Sequence, residues 1–217
     1  MGASQSGQVH KFQDLADKTG FSIEQIKNLH SRFLYLTQDE DTLRREHLEN
    51  ITNLAINPIR RQIIEAFFDK RNLGENEKGC LQEIGFEEFV TVLAFFRPPK
   101  PRIPEEEVKN IRKEKLRFLF NMHDTDNDGV ITLEEYRRVV EELLSSYETI
   151  GAETAKAISD AAMLEVASVT VGQMDPEEFY EGITFEQFMQ ILQNLEIETK
   201  MNIHFLTLDT TTMKCGK

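Results

Sequence analysis

The chain has 217 residues, 40% of them hydrophobic, enough to bury one large core or two small ones. Aspartate and glutamate total 38 against 25 lysine and arginine, and the net charge of -13 repels nucleic-acid phosphates while favouring basic peptides and divalent cations, so no nucleic-acid partner is expected. Cys80 and Cys215 show neither a pairing pattern nor metal spacing, which points to free thiols in a reducing compartment. No run approaches the roughly 20 apolar residues of a membrane span, and the start lacks a secretory apolar core, so the chain is expected to stay inside the cell.

Residues 1–20 read as a lipidated N-terminal segment. Met1-Gly2-Ala3-Ser4-Gln5-Ser6 fits the N-myristoylation pattern, with Gly2 exposed once the initiator is removed. One myristoyl chain gives only marginal membrane affinity, on the order of 10⁴ M⁻¹, and no polybasic cluster lies nearby to reinforce it. A membrane-bound protein partner is the expected second anchor.

Beyond this segment a short pattern recurs four times: an aliphatic residue, then a large apolar one five positions on, with polar or acidic residues between. The pairs are Leu43/Leu48, Ile84/Phe89, Ile131/Tyr136 and Ile183/Phe188. Their spacing suits a helix-loop-helix unit repeated four times with insertions. The expected fold is therefore all-α: four EF-hand units in two paired lobes, joined within each lobe by a two-residue β pairing of Leu43 with Ile84 and of Ile131 with Ile183. The N-terminal lobe spans 21–97 with both hands degenerate, a Pro-rich linker spans 98–106, the C-terminal lobe spans 107–197, and an extension fills 198–217.

In the first unit, loop position 12 is His47 and position 6 is Asp41, so the bidentate carboxylate and the turn glycine are both missing. In the second, Glu88 keeps position 12, but Asp69 at the end of the incoming helix lies too far ahead of it, and the insertion Lys70 to Gly85 misplaces any ligand set. The joint that follows holds Pro98, Pro99, Pro101 and Pro104. These end the preceding helix and stiffen the connection; Pro98 and Pro101 also have the separation of a proline-helix ligand, a reading secondary to the linker. Next, Arg112-Lys113-Glu114-Lys115-Leu116-Arg117 reads as the solvated face of the helix entering the third unit.

The third loop is Asp124-Thr125-Asp126-Asn127-Asp128-Gly129-Val130-Ile131-Thr132-Leu133-Glu134-Glu135 and meets the EF-hand pattern at every defining position. Calcium takes six to eight hard oxygens. Asp124, Asp126 and Asp128 supply carboxylates at positions 1, 3 and 5, Val130 its backbone carbonyl at 7, Thr132 a contact through water at 9, and Glu135 a bidentate carboxylate at 12. Gly129 permits the sharp turn. Leu116, Leu119 and Phe120 before the loop, and Tyr136, Val139, Val140, Leu143 and Leu144 after it, give each flanking helix one apolar face. In the fourth unit Gln187 replaces the closing glutamate, and Pro176, Glu178, Tyr180 and Glu181 provide neither alternating carboxylates nor a glycine. One ion site is expected, with the silent hands as structural partners. The histidines show no paired spacing, and no phosphate-binding glycine loop or serine elbow is present, so binding rather than catalysis is expected.

Together these features resemble the calcineurin B family. The resemblance is carried by Glu114-Lys115-Leu116-Arg117-Phe118 before the third loop, Gly182-Ile183-Thr184-Phe185-Glu186-Gln187-Phe188 in the fourth unit, and Ile197-Glu198-Thr199-Lys200-Met201 after it. Calcineurin B fills all four hands, which this chain cannot do, and the single intact hand is similar to that of the calcineurin B homologous proteins. That resemblance implies a myristoylated cofactor of plasma-membrane sodium/proton exchangers that grips an amphipathic helix of the exchanger's cytoplasmic tail. It further implies support of exchanger maturation, surface stability and activity, inhibition of calcineurin phosphatase activity, magnesium as well as calcium (Ca2+) at the one site, and a place in cytoplasm, nucleus and membrane ruffles or lamellipodia. A calcium-gated phosphatase subunit and a general calcium sensor or buffer are the competing function classes. A buffer ordinarily has several working sites and no target groove, which counts against it.

Overall fold

The computed structural model describes residues 3–74, 78–144, 152–170 and 181–201. The chain is mostly helical, with two short antiparallel strand pairs, and divides into two compact units. The first takes the chain up to Ala55 together with Ile64–Pro98; the second takes Ile56–Ile63 and Pro99–Lys200.

The first unit begins with α1 (Ala3–Thr19), which the sequence reading treats only as a segment carrying a lipid. Phe12, Leu15, Ala16 and Thr19 are buried, the i, i+3, i+4, i+7 set of an amphipathic helix. Phe12 packs with its ring centroid 5.3 Å from His30 and 6.0 Å from Phe86. The end of α1 is fixed by Arg97, whose Nη1 donates to the Thr19 carbonyl at 2.7 Å while the guanidinium lies over the Phe21 ring. Gly20 allows this approach: at φ +71° it turns the chain, and a Cβ there would stand 2.4 Å from Arg97 Nη1.

Helix α2 (Ile23–Thr37) starts in a capping box, with Gln25 N–H donating to Ser22 Oγ and Ser22 N–H to Gln25 Oε1. It leads to β1 (Leu43–Arg44), α3 (Arg45–Glu49), α4 (Thr52–Ala55) and α5 (Arg60–Phe68). A 3₁₀ turn, Lys70–Leu73, precedes β2 (Glu83–Ile84) and α6 (Phe86–Ala94). Strands β1 and β2 pair Leu43 with Ile84, the partners expected from the repeat. The core of the unit is aromatic: Phe33, Phe67 and Phe89 are fully buried, with Phe89 5.5 Å from Phe33 and 5.9 Å from Phe67 between ring centroids.

The second unit is built on α7 (Glu105–His123), α8 (Leu133–Leu144), α9 (Ala152–Thr170), α10 (Phe185–Ile191) and α11 (Ile197–Lys200). Pro104 sets the start of α7, where Glu105, Glu106 and Glu107 face the positive end of the helix dipole. Strands β3 (Val130–Ile131) and β4 (Ile183–Thr184) pair Ile131 with Ile183, again as expected. Leu116, Phe120, Ile131, Met163, Ile183 and Phe185 form one buried cluster.

The basic stretch 112–117 requires a correction, because three of its residues face partners in the fold instead of solvent. Arg112 donates to the Leu192 and Leu195 carbonyls and to Glu198 Oε2. Lys115 is only 2% exposed and its Nζ donates to the Glu198 carbonyl at 3.1 Å. Arg117 lies 3.3 Å from the Phe185 ring centroid. Arg112 thus satisfies carbonyls just beyond the end of α10, and Lys115 one within α11.

Candidate metal centre

Helix α7 ends at His123 and β3 begins at Val130; the turn between them gathers the acidic side chains. Carboxylate oxygens of Asp124, Asp126 and Asp128 all lie within 4.8 Å of one another. Three negative groups so close repel each other unless a cation or donors lie among them. Part of the compensation is local. Asp128 N–H donates to Asp124 Oδ1 and to Asp126 Oδ1, each at 3.1 Å, and Val130 N–H donates to Asp128 Oδ1 at 2.8 Å. These Asx-type bonds orient the carboxylates.

The backbone makes this possible at two positions with positive φ, Asn127 at 64° and Gly129 at 96°. A Cβ added to Gly129 would meet nothing within 4 Å, so glycine serves conformation there, not space.

Glu135 stands at the start of α8, 5% exposed, and is not one of the three convergent carboxylates. Its Oε1 accepts from Thr125 N–H at 2.6 Å and Thr125 Oγ1 at 2.7 Å; its Oε2 accepts from Thr132 N–H and Thr132 Oγ1, both at 3.0 Å. Burial by itself raises its pKa, but the bonds from Thr132 and Thr125 outweigh burial and hold it below the usual carboxylate value. It is thus kept ionised inside the fold. His123, just before the loop, is shifted the other way: burial pushes its pKa down despite the nearby charge of Glu135.

Thr132 does more than the sequence reading gave it, since its Oγ1 also accepts the Glu135 N–H at 3.3 Å and so starts α8. The bond from the Thr132 N–H to the side chain three residues on has three equivalents, at the positions the sequence repeat aligns with Thr132 and Glu135. Arg44 N–H donates to His47 Nδ1 at 3.1 Å, Gly85 N–H to Glu88 Oε2 at 3.0 Å, and Thr184 N–H to Gln187 Oε1 at 2.9 Å. A histidine, a glutamate and a glutamine thus perform the same helix-starting task. No sequence pattern for calcium would show it.

The first and second loops place arginines beside their carboxylates. Arg44 lies 2.5 Å from Glu40 and 2.9 Å from Glu46. Asp69, 7% exposed, is held by Arg71 through its Nε at 3.1 and 3.0 Å and its Nη2 at 2.7 Å, while Asp69 Oδ1 also accepts the Arg71 N–H. Gly2 and residues 171–180 of the fourth unit lie outside the described residues.

The donor set in the third loop fits a hard divalent cation: only oxygens, three pre-oriented carboxylates and a fourth held ionised nearby. The EF hand domain model matches residues 115–143, which contain the whole loop and both flanks. Across nearly the full length, the chain is 55% identical to calcineurin B homologous protein 3 of Xenopus tropicalis over 210 residues, 97% of this chain and 98% of that one. It is 52% identical to the Homo sapiens protein of the same name, with the same coverage, and 46% identical to that of Gallus gallus over 96% of this chain and 97% of the relative. With its EF-hand calcium-binding domain and this full-length similarity, the chain belongs to the calcineurin B homologous protein 3 family.

Proposed function

We propose that the chain is a calcium-binding regulatory subunit with four EF-hand units in two pairs, of which only the third binds an ion. Asp124, Asp126, Asp128, the Val130 carbonyl and Glu135 hold calcium, and magnesium competes for the same oxygens. The observation that carries this reading is the contrast between loops: Asp124, Asp126 and Asp128 converge around a shared space, whereas Glu40 and Asp69 are neutralised by Arg44 and Arg71. The ion supplies positive charge that lets the three carboxylates stay close; the protein supplies their orientation and the sharp turn at Gly129.

The target is an amphipathic helix in the cytoplasmic tail of a plasma-membrane sodium/proton exchanger. Binding to it promotes maturation, surface stability and activity of the exchanger, and the same subunit inhibits calcineurin phosphatase activity. Membership in the family supports the partner class. The second unit supports the mode of binding, since it leaves Leu143, Ile158, Leu164, Ile191 and Leu195 exposed, apolar surface of the kind that accepts a helix with i, i+3, i+4, i+7 anchors. Among the described residues no helix is long and apolar enough to cross a membrane. Association with the cytoplasmic face of the plasma membrane comes from a myristoyl group on Gly2 and from the exchanger itself; cytoplasm, ruffles and nucleus are the proposed locations.

The test is a calorimetric titration of calcium, with and without magnesium, into wild type and Asp124→Ala, alone and with a synthetic exchanger-tail helix. One calcium site, lost in the variant, with peptide binding that survives, supports a constitutive subunit tuned by one ion. Two or more sites, or peptide binding that requires calcium, overturns it in favour of a calcium-gated sensor.

A further inference from the structure

In the first unit a cavity of about 500 Å³ opens between α2 and the α3–α4 segment. It is lined by Arg32, Tyr35, Leu36, Gln38, His47, Asn50, Ile51, Thr52 and Asn53. In a chain of net charge -13, none of these is a carboxylate. Among the lining residues Arg32 carries a fixed positive charge and His47 offers an imidazole ring.

The donors of these two side chains give the cavity its character. Arg32 Nε is shut off from solvent and has no acceptor among the described residues; its guanidinium is braced over the Tyr35 ring at 5.0 Å. Nε is therefore closed to any ligand in the cavity, and recognition of an oxyanion falls to the rest of the planar guanidinium, whose fork suits carboxylate and phosphate oxygens. His47 is oriented by the bond its Nδ1 accepts from Arg44 N–H, which places the proton of the neutral ring on Nε2. The histidine therefore presents a donor from its other nitrogen. Asn50, Asn53 and Thr52 add amide and hydroxyl donors at the rim.

We propose that this cavity binds an oxyanion, a carboxylate or a phosphate group, through Arg32 and His47. The residue that removes calcium from the first loop thereby acquires a different ligand. Glutamate at loop position 12 would put a negative charge in the cavity wall, whereas histidine keeps the helix-starting bond and contributes an N–H. The site is separate from the third-loop metal centre and does not rest on the exchanger reading.

The experiment uses the full chain labelled with ¹⁵N. Sodium phosphate and sodium acetate are titrated separately at ionic strength held constant with chloride, following the Arg32 Nε–H and His47 ring signals. Saturable shifts are expected, with phosphate alone marking a phosphate ligand and with both anions marking a site that also accepts carboxylate. Arg32→Gln should weaken the affinity about tenfold or more, as loss of a charge-assisted bond does. His47→Glu should do likewise while folding normally, because Glu88 and Glu135 make the same bond in their own units. Shifts that stay linear, or that saturate equally in both variants, overturn the proposal.

Discussion

Arg112 and Glu198 form an ion pair at 2.7 Å with their side chains 20% and 19% exposed, and the same guanidinium also donates to the Leu192 and Leu195 carbonyls. One side chain on α7 thus ties down the end of α10 and the start of α11. Arg112→Ala should destabilise the chain by about 2–4 kcal/mol, because it strands a partly buried carboxylate and two carbonyls at once. Arg112→Lys should recover little, since an ammonium cannot reproduce the planar fork. Urea unfolding of the two variants, with an unchanged denaturant slope, measures both effects.

The Asp69–Arg71 pair sets a second expectation. Arg71→Ala leaves the buried Asp69 carboxylate without its fork and should cost about 3 kcal/mol, yet add no calcium site. Replacing both, as Asp69→Asn with Arg71→Met, should recover part of the loss. Calcium stoichiometry and thermal unfolding of the wild type and the two variants test it; a second calcium bound by Arg71→Ala contradicts the account of the second loop.

In the proposed calcium site, Thr125 would compete with the ion for Glu135. Its N–H and Oγ1 both donate to Oε1, and recruitment of that oxygen gives up part of this hold. Thr125→Val removes the hydroxyl bond and keeps the β-branched shape. It should tighten calcium binding up to about tenfold, the equivalent of one net hydrogen bond. Competition against a chelator of known affinity reads the change, and unchanged or weaker binding shows that the hydroxyl does not oppose the ion.

Gly182 lies against β3. At φ +149°, a Cβ there would stand 2.4 Å from the Ile131 carbonyl oxygen and 2.7 Å from Val130 Cγ1. Gly182→Ala should therefore push β4 off β3, lowering stability by about 2 kcal/mol or more and weakening calcium through Val130. Amide exchange at Ile131 and Ile183, compared between wild type and variant, locates the damage.

What could be read from the sequence was whatever repeats locally. Leu43/Ile84 and Ile131/Ile183 stood out because an EF-hand loop puts one aliphatic at a fixed distance from its exit helix, and the structure pairs them. The ligand spacing of the third loop was legible for the same reason, and the three aspartates do converge. Helix α1 was also written in the sequence, in Phe12, Leu15, Ala16 and Thr19, but was overshadowed by the lipidation pattern ahead of it. The partners of Arg112 and Lys115 were not legible at all. They lie some 80 residues away, mostly as backbone carbonyls, and a carbonyl leaves no mark in a sequence. Nor did the arginine in place of an ion show itself, because Arg71 meets Asp69 only once the insertion has coiled into a 3₁₀ turn.

The shared bond between loop positions 9 and 12 separates two duties that an intact hand combines. His47, Glu88 and Gln187 start their helices as Glu135 does. A substitution at position 12 can therefore abolish ion binding in one hand while leaving its second helix properly begun. Such a scaffold can shed its ions one loop at a time through viable intermediates, and each silenced loop is then open to acquire chemistry of its own.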